Sequence, residues 1–327
     1  MSDPVTVTTD ALELELGGRL HTQLNTTSVD GEPASRLLIR RARVELGVQL
    51  PNGISGAIQP EFGNGGVSLK DAYVEMEVSP TLALRAGSTY RPFGLLEQTS
   101  SKRILPVERG LRVRGLAAWD EYAVLNSLDY SDRDVGLVLL GAPSEDVDVT
   151  AGVFRGPLHG QVGANSSYQY VARVRGRTAE DLWIGTAWSS RHFVVGAGPE
   201  LERGHAFEID LEYGSFTPGW HALAEVAFGD ADQVADANFH GGHAWIAYRT
   251  EPSEGRGVML EPLLRLSHAD VGIGQQPLTP PGGTLLTPGV AVYFGPANRI
   301  AVNYDLWWGG RDSEDASSFK VMFQMGF

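Results

Sequence analysis

The chain has 327 residues with 40 glycines, 18 prolines and no cysteine, and its net charge is −14. The lack of cysteine excludes a disulfide framework and thiolate metal sites. The acidic balance excludes a nucleic-acid partner of the usual kind, which needs a concentrated basic surface. Two soluble domains would fit the length, and so would one closed sheet that uses the whole chain. No apolar run reaches the about 18 residues of a transmembrane helix. Met1-Ser2-Asp3-Pro4 leads straight into polar sequence with no signal-peptide pattern. A mature form from which the signal has been removed fits the strands that follow.

The first predicted strand spans 12–22. Leu12, Leu14, Leu16 and Leu20 form one face, and Glu13, Glu15, Arg19 and His21 form the other, the period of two that marks a strand. Over 36–50, Ala42, Val44, Leu46 and Val48 oppose Arg41, Arg43, Glu45 and Gln49. Strands at 53–62 and 69–79 follow, the second with Ala72, Val74, Met76 and Val78 against Asp71, Tyr73, Glu75 and Glu77. Further strands are read at 82–90, 133–141, 147–155, 168–177, 182–190, 204–213, 219–229, 239–249, 257–267, 283–294, 298–307 and 318–327. The last places Phe319, Val321, Phe323, Met325 and the C-terminal Phe327 on one apolar face.

Connections alternate in length. Those at 23–35, 91–132, 156–167, 191–203, 230–238, 268–282 and 309–317 are long, with 63–68 the one short member of that set. Those at Pro51-Asn52, Ser79-Pro80-Thr81, 214–218 and 295–297 are short. Roughly sixteen strands with alternating short and long connections point to an all-β fold, a transmembrane antiparallel β-barrel of the bacterial outer membrane. Residues 1–327 then form a single barrel domain with both termini in the periplasm. Trp188, Trp220, Trp307 and Trp308 fall near strand ends, either as an interfacial girdle or as ordinary core tryptophans.

The inward parity puts Arg41, Arg43, Arg85, Arg173, Arg175 and Arg265 in the lumen. A charge on the lipid face would cost roughly 2–4 kcal/mol at the midplane. The long connection 91–132 adds Lys102, Arg103, Arg109, Arg112 and Arg114 against Glu97 and Glu108. Rings of arginine favour anions and rings of carboxylates favour cations. The lumen also receives Glu13, Glu15, Glu45, Glu75, Glu208, Asp210, Glu212 and Glu225. Either the arginines face the solute as an anion filter, or they pair with these carboxylates, possibilities that include crossed charges facing each other over the lumen.

Other motifs point elsewhere only weakly. His240 and His243 lie on opposite strand faces, which argues against a metal site. Asp230, Asp232 and Asp236 lack the central glycine and terminal glutamate of a calcium loop. Gly63-Asn64-Gly65-Gly66 lacks the tail of a phosphate loop. No nucleophile elbow occurs, so neither an enzyme nor a cofactor is expected.

An ordered set of blocks resembles the phosphate-selective porin O and P family. It runs Arg40-Arg41-Ala42-Arg43, Leu69-Lys70-Asp71-Ala72-Tyr73-Val74-Glu75, Leu84-Arg85-Ala86-Gly87, Arg91-Pro92-Phe93-Gly94-Leu95-Leu96-Glu97 with Thr99-Ser100-Ser101, and Glu108-Arg109. Arg133-Asp134-Val135-Gly136-Leu137 and Thr287 to Tyr293 extend it. The resemblance implies a sixteen-stranded homotrimeric porin that passes small inorganic anions, in some members phosphate, with the third outer loop folded inward. It adds Arg40 and Arg133 to the filter. It also implies that the outer-membrane assembly machinery reads the strand ending at Phe327. This chain has only three lysines, Lys70, Lys102 and Lys320, and its acidic balance keeps two alternatives open: a general or cation-preferring porin, and a plugged barrel serving as surface anchor or adhesin.

Overall fold

The computed structural model describes residues 4–109, 112–114, 121–156, 167–194, 201–214, 217–231, 237–255, 257–271, 282–295, 298–309 and 315–327. Its strands are β1 (Val5–Thr8), β2 (Glu13–Val29), β3 (Glu32–Gln49), β4 (Ile54–Glu61), β5 (Ser68–Ser79), β6 (Leu82–Tyr90), β7 (Arg112–Arg114), β8 (Glu121–Ala123), β9 (Arg133–Ser144) and β10 (Val147–Phe154). They continue as β11 (Gln169–Ala179), β12 (Leu182–Val194), β13 (Leu201–Tyr213), β14 (Gly219–Asp230), β15 (Asn238–Arg249), β16 (Met259–Val271), β17 (Gly283–Tyr293), β18 (Arg299–Gly309) and β19 (Ala316–Gly326). Two single-turn helices, α1 (Leu95–Gln98) and α2 (Val124–Ser127), lie between β6 and β9.

Sixteen strands, β2 to β6 and β9 to β19, pair antiparallel in chain order. The sheet closes where β19 pairs with β2, from Ala316 opposite Val29 to Gly326 opposite Arg19. Closure removes the unpaired edge that a sheet would otherwise expose to lipid. The Phe327 carbonyl accepts from Gly18 N at 2.8 Å, and its N–H donates to the Gly18 carbonyl at 3.2 Å. Beyond that point β1 takes over the same edge of β2, with Val5 opposite Leu16 and Thr8 opposite Glu13. The alternation read from the sequence is realised along the membrane-facing parts of the strands, apart from the bulges described below. Ile209, Val226, Ile246, Leu264 and Leu266 are exposed on the outside, while Glu208, Asp210, Glu225 and Arg265 are buried inside.

Two expectations need correction. The first outer connection is a two-residue turn, not a loop over 23–35. β2 and β3 run on to Asp30 and Gly31, whose φ angles are 51° and 84°, as a tight type I′ hairpin requires. The segment 22–28 is rich in Thr, Asn and Ser, so it shows no apolar alternation. A strand that rises above the lipid needs none, because both its faces are wet. Trp307 is the second correction. It faces inward, 5 % exposed, in the same apolar cluster as Leu285, whereas Trp220 and Trp308 lie on the outer face as girdle residues do.

Two glycines of the motif blocks meet. Gly87 lies opposite Tyr73 on one side and Gly136 on the other. Its φ is 133°, and a Cβ there would run into the backbone of Ala72 and Tyr73. The glycine is thus required by the close approach of two strands.

Candidate functional site: the pore and its inward loop

The lumen contains the segment 91–109, which enters after β6. The two ends of the whole 91–132 connection are stapled together. Arg91 donates through its backbone to the Asp132 carbonyl at 3.0 Å and through its side chain to the Asp129 carbonyl at 2.8 Å. Backbone groups that leave a sheet and enter a lumen need new partners, and the wall supplies them. Glu208 on β13 accepts from the N–H groups of Gly94 and Leu95 at 2.6 and 2.7 Å. Glu225 on β14 accepts from Leu96 N at 3.0 Å, and Asn303 on β18 accepts from Val107 N at 2.7 Å. Arg299 donates to the Ile104 and Leu105 carbonyls, Arg265 to the Glu108 carbonyl and Gln324 to the Lys102 carbonyl.

Apolar packing completes the seating. Leu95, Leu96, Ile104 and Leu105 bury against Leu223, Trp245, Ala247 and Leu263, and Val107 packs with Ala291, Tyr293, Ala301 and Met322. The loop therefore seals itself onto the β13–β19 wall and leaves space on the side of β3 to β6 and β9 to β11.

Among the described residues that space includes two cavities, one on either side of α1. The outer cavity measures 360 Å³ and is lined by Arg40, Arg41, Arg43, Lys70, Arg109 and Arg133, with three carboxylates, Glu61, Glu97 and Asp132. The inner one, at the end with the short turns, measures 630 Å³. Its charged lining is Arg103, Arg173 and Arg175 against Glu75, Glu77, Asp148 and Glu212. Glu97 faces the outer cavity, and its chain neighbour Gln98 faces the inner one. Arg109 on the loop donates to the Tyr90 hydroxyl on β6 at 3.1 Å and to the Glu97 carbonyl at 2.7 Å, so the loop touches the opposite wall there.

Two β-bulges concentrate the outer charge. Arg41 lies opposite His21 and Ile39 opposite Thr22, so Arg40 is the extra residue on β3. Ile39 is exposed outside, and Arg40 and Arg41 both line the cavity. On β5, Ala72 lies opposite Ile58 and Leu69 opposite Pro60, which leaves one residue too many. Lys70 reaches the cavity, and its neighbour Asp71 binds Arg133 inside the barrel at 2.8 Å. A bulge of this kind turns two consecutive side chains to one face. Parity without a bulge points Lys70 at lipid, and for that reason sequence reasoning missed it.

Opposite charges pair along the wall, not across the lumen. Arg43 binds Glu61. Arg85 binds Glu75 at 2.6 Å and lies 4.1 Å over the Tyr73 ring. Arg133 takes both oxygens of Asp71 at 2.8 Å and stacks 3.7 Å over Tyr90. Arg173 binds Asp210 at 2.7 Å and Glu208 at 3.3 Å, and Arg175 binds Asp148 at 3.3 Å and Glu212 at 3.5 Å. The row Glu208, Asp210, Glu212 is thus occupied by loop amides and arginines. Arg40 binds Glu108 at 3.1 Å, and Lys102 binds Glu45, which also holds Arg19.

Arg265 is inward as the parity requires, but it is 1 % exposed and seated behind the loop. Arg103 lines the inner cavity. Arg112 and Arg114 belong to β7, which pairs with β8; their side chains lie outside the described residues, as do Asp232 and Asp236. Arg41 donates to His21 Nδ1 at 3.4 Å, and neither Arg41 nor Lys70 makes an ion pair among the described residues. Among the described residues, the outer cavity therefore holds two cations, Arg41 and Lys70, with no ion-pair partner.

A closed sixteen-stranded barrel with an apolar belt, a charged lumen and an inward loop defines an outer-membrane channel of the porin class. The sequence matches the family described as phosphate-selective porin O and P over residues 14–243. The chain belongs to that family. No curated protein matches the sequence. Among solved structures it is similar to an anion-selective porin from Comamonas acidovorans, at 12 % identity over 97 % of this chain and 100 % of that chain, TM-score 0.68. It is also similar to the outer membrane channel DcaP of Acinetobacter baumannii, at 11 % identity over 98 % and 99 %, TM-score 0.67. A third is the trimer form of OmpT, an outer membrane protein of Vibrio cholerae, at 15 % identity over 97 % and 100 %, TM-score 0.60. At these identities the likeness is one of fold.

Proposed function

We propose that this barrel is a diffusion channel that prefers small anions, phosphate among them, and also passes small polar solutes. The observation that carries the reading is the outer cavity, where six cationic side chains meet three carboxylates. An arginine fork can hold two oxygens of one anion and keeps its charge at every relevant pH. A channel also needs binding weak enough for exit, and solvated walls on either side of α1 supply that. The Glu97–Arg109–Tyr90 contact, on the wall of the outer cavity, serves as the constriction. No catalytic chemistry is needed for this role. Three copies per assembly and recognition of Phe327 by the assembly machinery are part of the same reading, the first supported by the trimeric relative.

A weakly selective or cation-preferring channel is the second reading, favoured by the net charge of −14 and by the four carboxylates of the inner cavity. The reversal potential of the purified protein in a planar bilayer under a chloride gradient decides between them. The expected result is an anion bias, with current reduced by added phosphate. A cation bias overturns the first reading, and zero conductance supports a plugged surface anchor.

Lys102 adds a pH dependence. Burial, and then the neighbouring Arg19, lower its ammonium from the usual lysine value to about 8. The cluster Arg19–Glu45–Lys102 is cationic while Lys102 is protonated and neutral once it is not. Anion preference should therefore decline as pH rises through about 8, from a full value near neutrality. In Lys102→Met the reversal potential should be flat over that window, and a decline of the same size in that variant would exclude Lys102 as the source.

A further inference from the structure

The lipid-facing side of the barrel carries a cluster of one arginine and two histidines that permeation does not use. On β13 the odd positions point outward: Phe207 and Ile209 are exposed, whereas Ala206, Glu208 and Asp210 are buried inside. Arg203 belongs to the outward row and is exposed. Its guanidinium donates to Ser190 Oγ at 3.0 Å and lies 5.4 Å from the centre of the Tyr170 ring. It makes no ion pair among the described residues. His192 is its cross-strand partner, opposite Arg203 in the β12–β13 register. His205, two residues further along the same row, stacks on Trp188 with ring centres 6.0 Å apart.

An outward charge without a partner is unfavourable in the hydrocarbon and tolerated only near the interface. The depth of this one follows from its neighbours. Ile184, Phe207 and Ile209 lie on the same outer face towards the barrel's middle and form the apolar belt. Arg203 and the two histidines lie near the outer ends of β12 and β13, level with lipid headgroups. Tyr170 and Trp188 beside them are the residue types that occupy the boundary between acyl chains and headgroups. Acidic neighbours do not set the site apart: His240 lies opposite Asp270, and beside His205 the Asp230 carboxylate accepts from its backbone N–H at 2.7 Å. What the other outward histidine pair, His240 and His268, lacks among the described residues is an arginine beside it, and His268 Nδ1 contacts Thr284 Oγ1 at 2.9 Å.

We propose that Arg203, His192 and His205 form an outward-facing site for the phosphate group of an outer-leaflet lipid. Arg203 supplies the permanent charge and a planar pair of donors suited to phosphate oxygens. The imidazoles supply two further donors. Tyr170 and Trp188 pack against the lipid below its headgroup.

The test uses the whole chain folded in dodecyl maltoside. It is titrated with bisphosphorylated lipid A and, separately, with the same lipid after dephosphorylation, and retained lipid is counted by native mass spectrometry. The phosphorylated lipid should bind about fivefold more tightly or better, the size expected for one basic residue at an anionic surface. Arg203→Gln should bring the ratio close to one. His192→Gln combined with His205→Gln should lower it partly, and His240→Ala with His268→Ala should leave it unchanged. Heat-dependent gel migration reports that each variant is folded. Equal affinity for the two lipids in the wild type, or a ratio indifferent to Arg203→Gln, overturns the proposal. Displacement of the lipid by inorganic phosphate would assign the cluster to free anions and overturns it as well. Retention of neither lipid by the wild type overturns it too.

Discussion

Arg41→Glu should lower the chloride-to-potassium permeability ratio by about tenfold or more. The side chain lines the outer cavity beside Arg40, Arg43 and Arg109, and among the described residues its polar contact is to a histidine, not to a carboxylate. Removing it therefore frees no buried acid, and the change is felt mainly by the solute. Exchanging a positive for a negative charge about 5 Å from a passing ion alters its energy by about 1.7 kcal/mol at the dielectric of water. The effect has opposite signs for anion and cation, so the ratio moves further than either permeability. Arg41→Lys is the informative companion. It keeps the charge and loses the fork, so chloride preference should survive while block by phosphate weakens. If Arg41→Glu leaves the reversal potential where it was, the outer cavity is not the selectivity filter.

Glu208→Ala should detach the start of the inward loop. The carboxylate accepts from two loop amides and from Arg173, and it is fully buried. Its removal leaves two N–H groups and part of a guanidinium without an acceptor. Breaking a buried charge pair by deleting one partner costs about 3–5 kcal/mol. The loss falls on the loop more than on the barrel, because the strand ladders on either side of β13 are untouched. Hydrogen exchange at Gly94 to Leu96 should speed up by orders of magnitude, and single channels should show larger, noisier currents. Protection equal to the wild type would mean that the apolar seat of Leu95, Leu96, Ile104 and Leu105 suffices without Glu208. Glu208→Gln, which retains an acceptor, should fall between the two.

The barrel was legible because lipid enforces a rule on every strand. Where one face must be apolar, as in Ala72, Val74, Met76 and Val78, the parity can be read directly from the letters. Above the lipid the rule lapses, and the outer halves of β2 and β3 were hidden in a polar stretch. The lumen obeys no such rule. Arg85 and Arg265 have the same inward parity, yet one borders open space and the other lies under the loop, because the path of residues 91–109 decides which sector of wall is covered. That path depends on contacts between positions far apart in sequence, such as Glu208 with Gly94 and Asn303 with Val107, and no local pattern announces them. Of the β13 carboxylates that parity places in the lumen, Glu208 is a loop acceptor, while Asp210 and Glu212 are partners of Arg173 and Arg175. Lys70 was lost to a single extra residue in β5.

The bulges have an implication for how such a pore can vary. In an ordinary strand one inserted residue inverts every side chain beyond it, and a membrane barrel would then present charges to lipid. At Arg40 the ladder absorbs the insertion locally: Ile39 and Ala42 keep the same outward sense on either side of it. Deleting Arg40 would leave the belt in register and remove one lumen charge. The surface that lipid reads and the surface that solute reads are thereby uncoupled at this position. Relatives could shift their ionic preference by gaining or losing single residues here, with no change to the strand count, the barrel's circumference or its fit to the membrane.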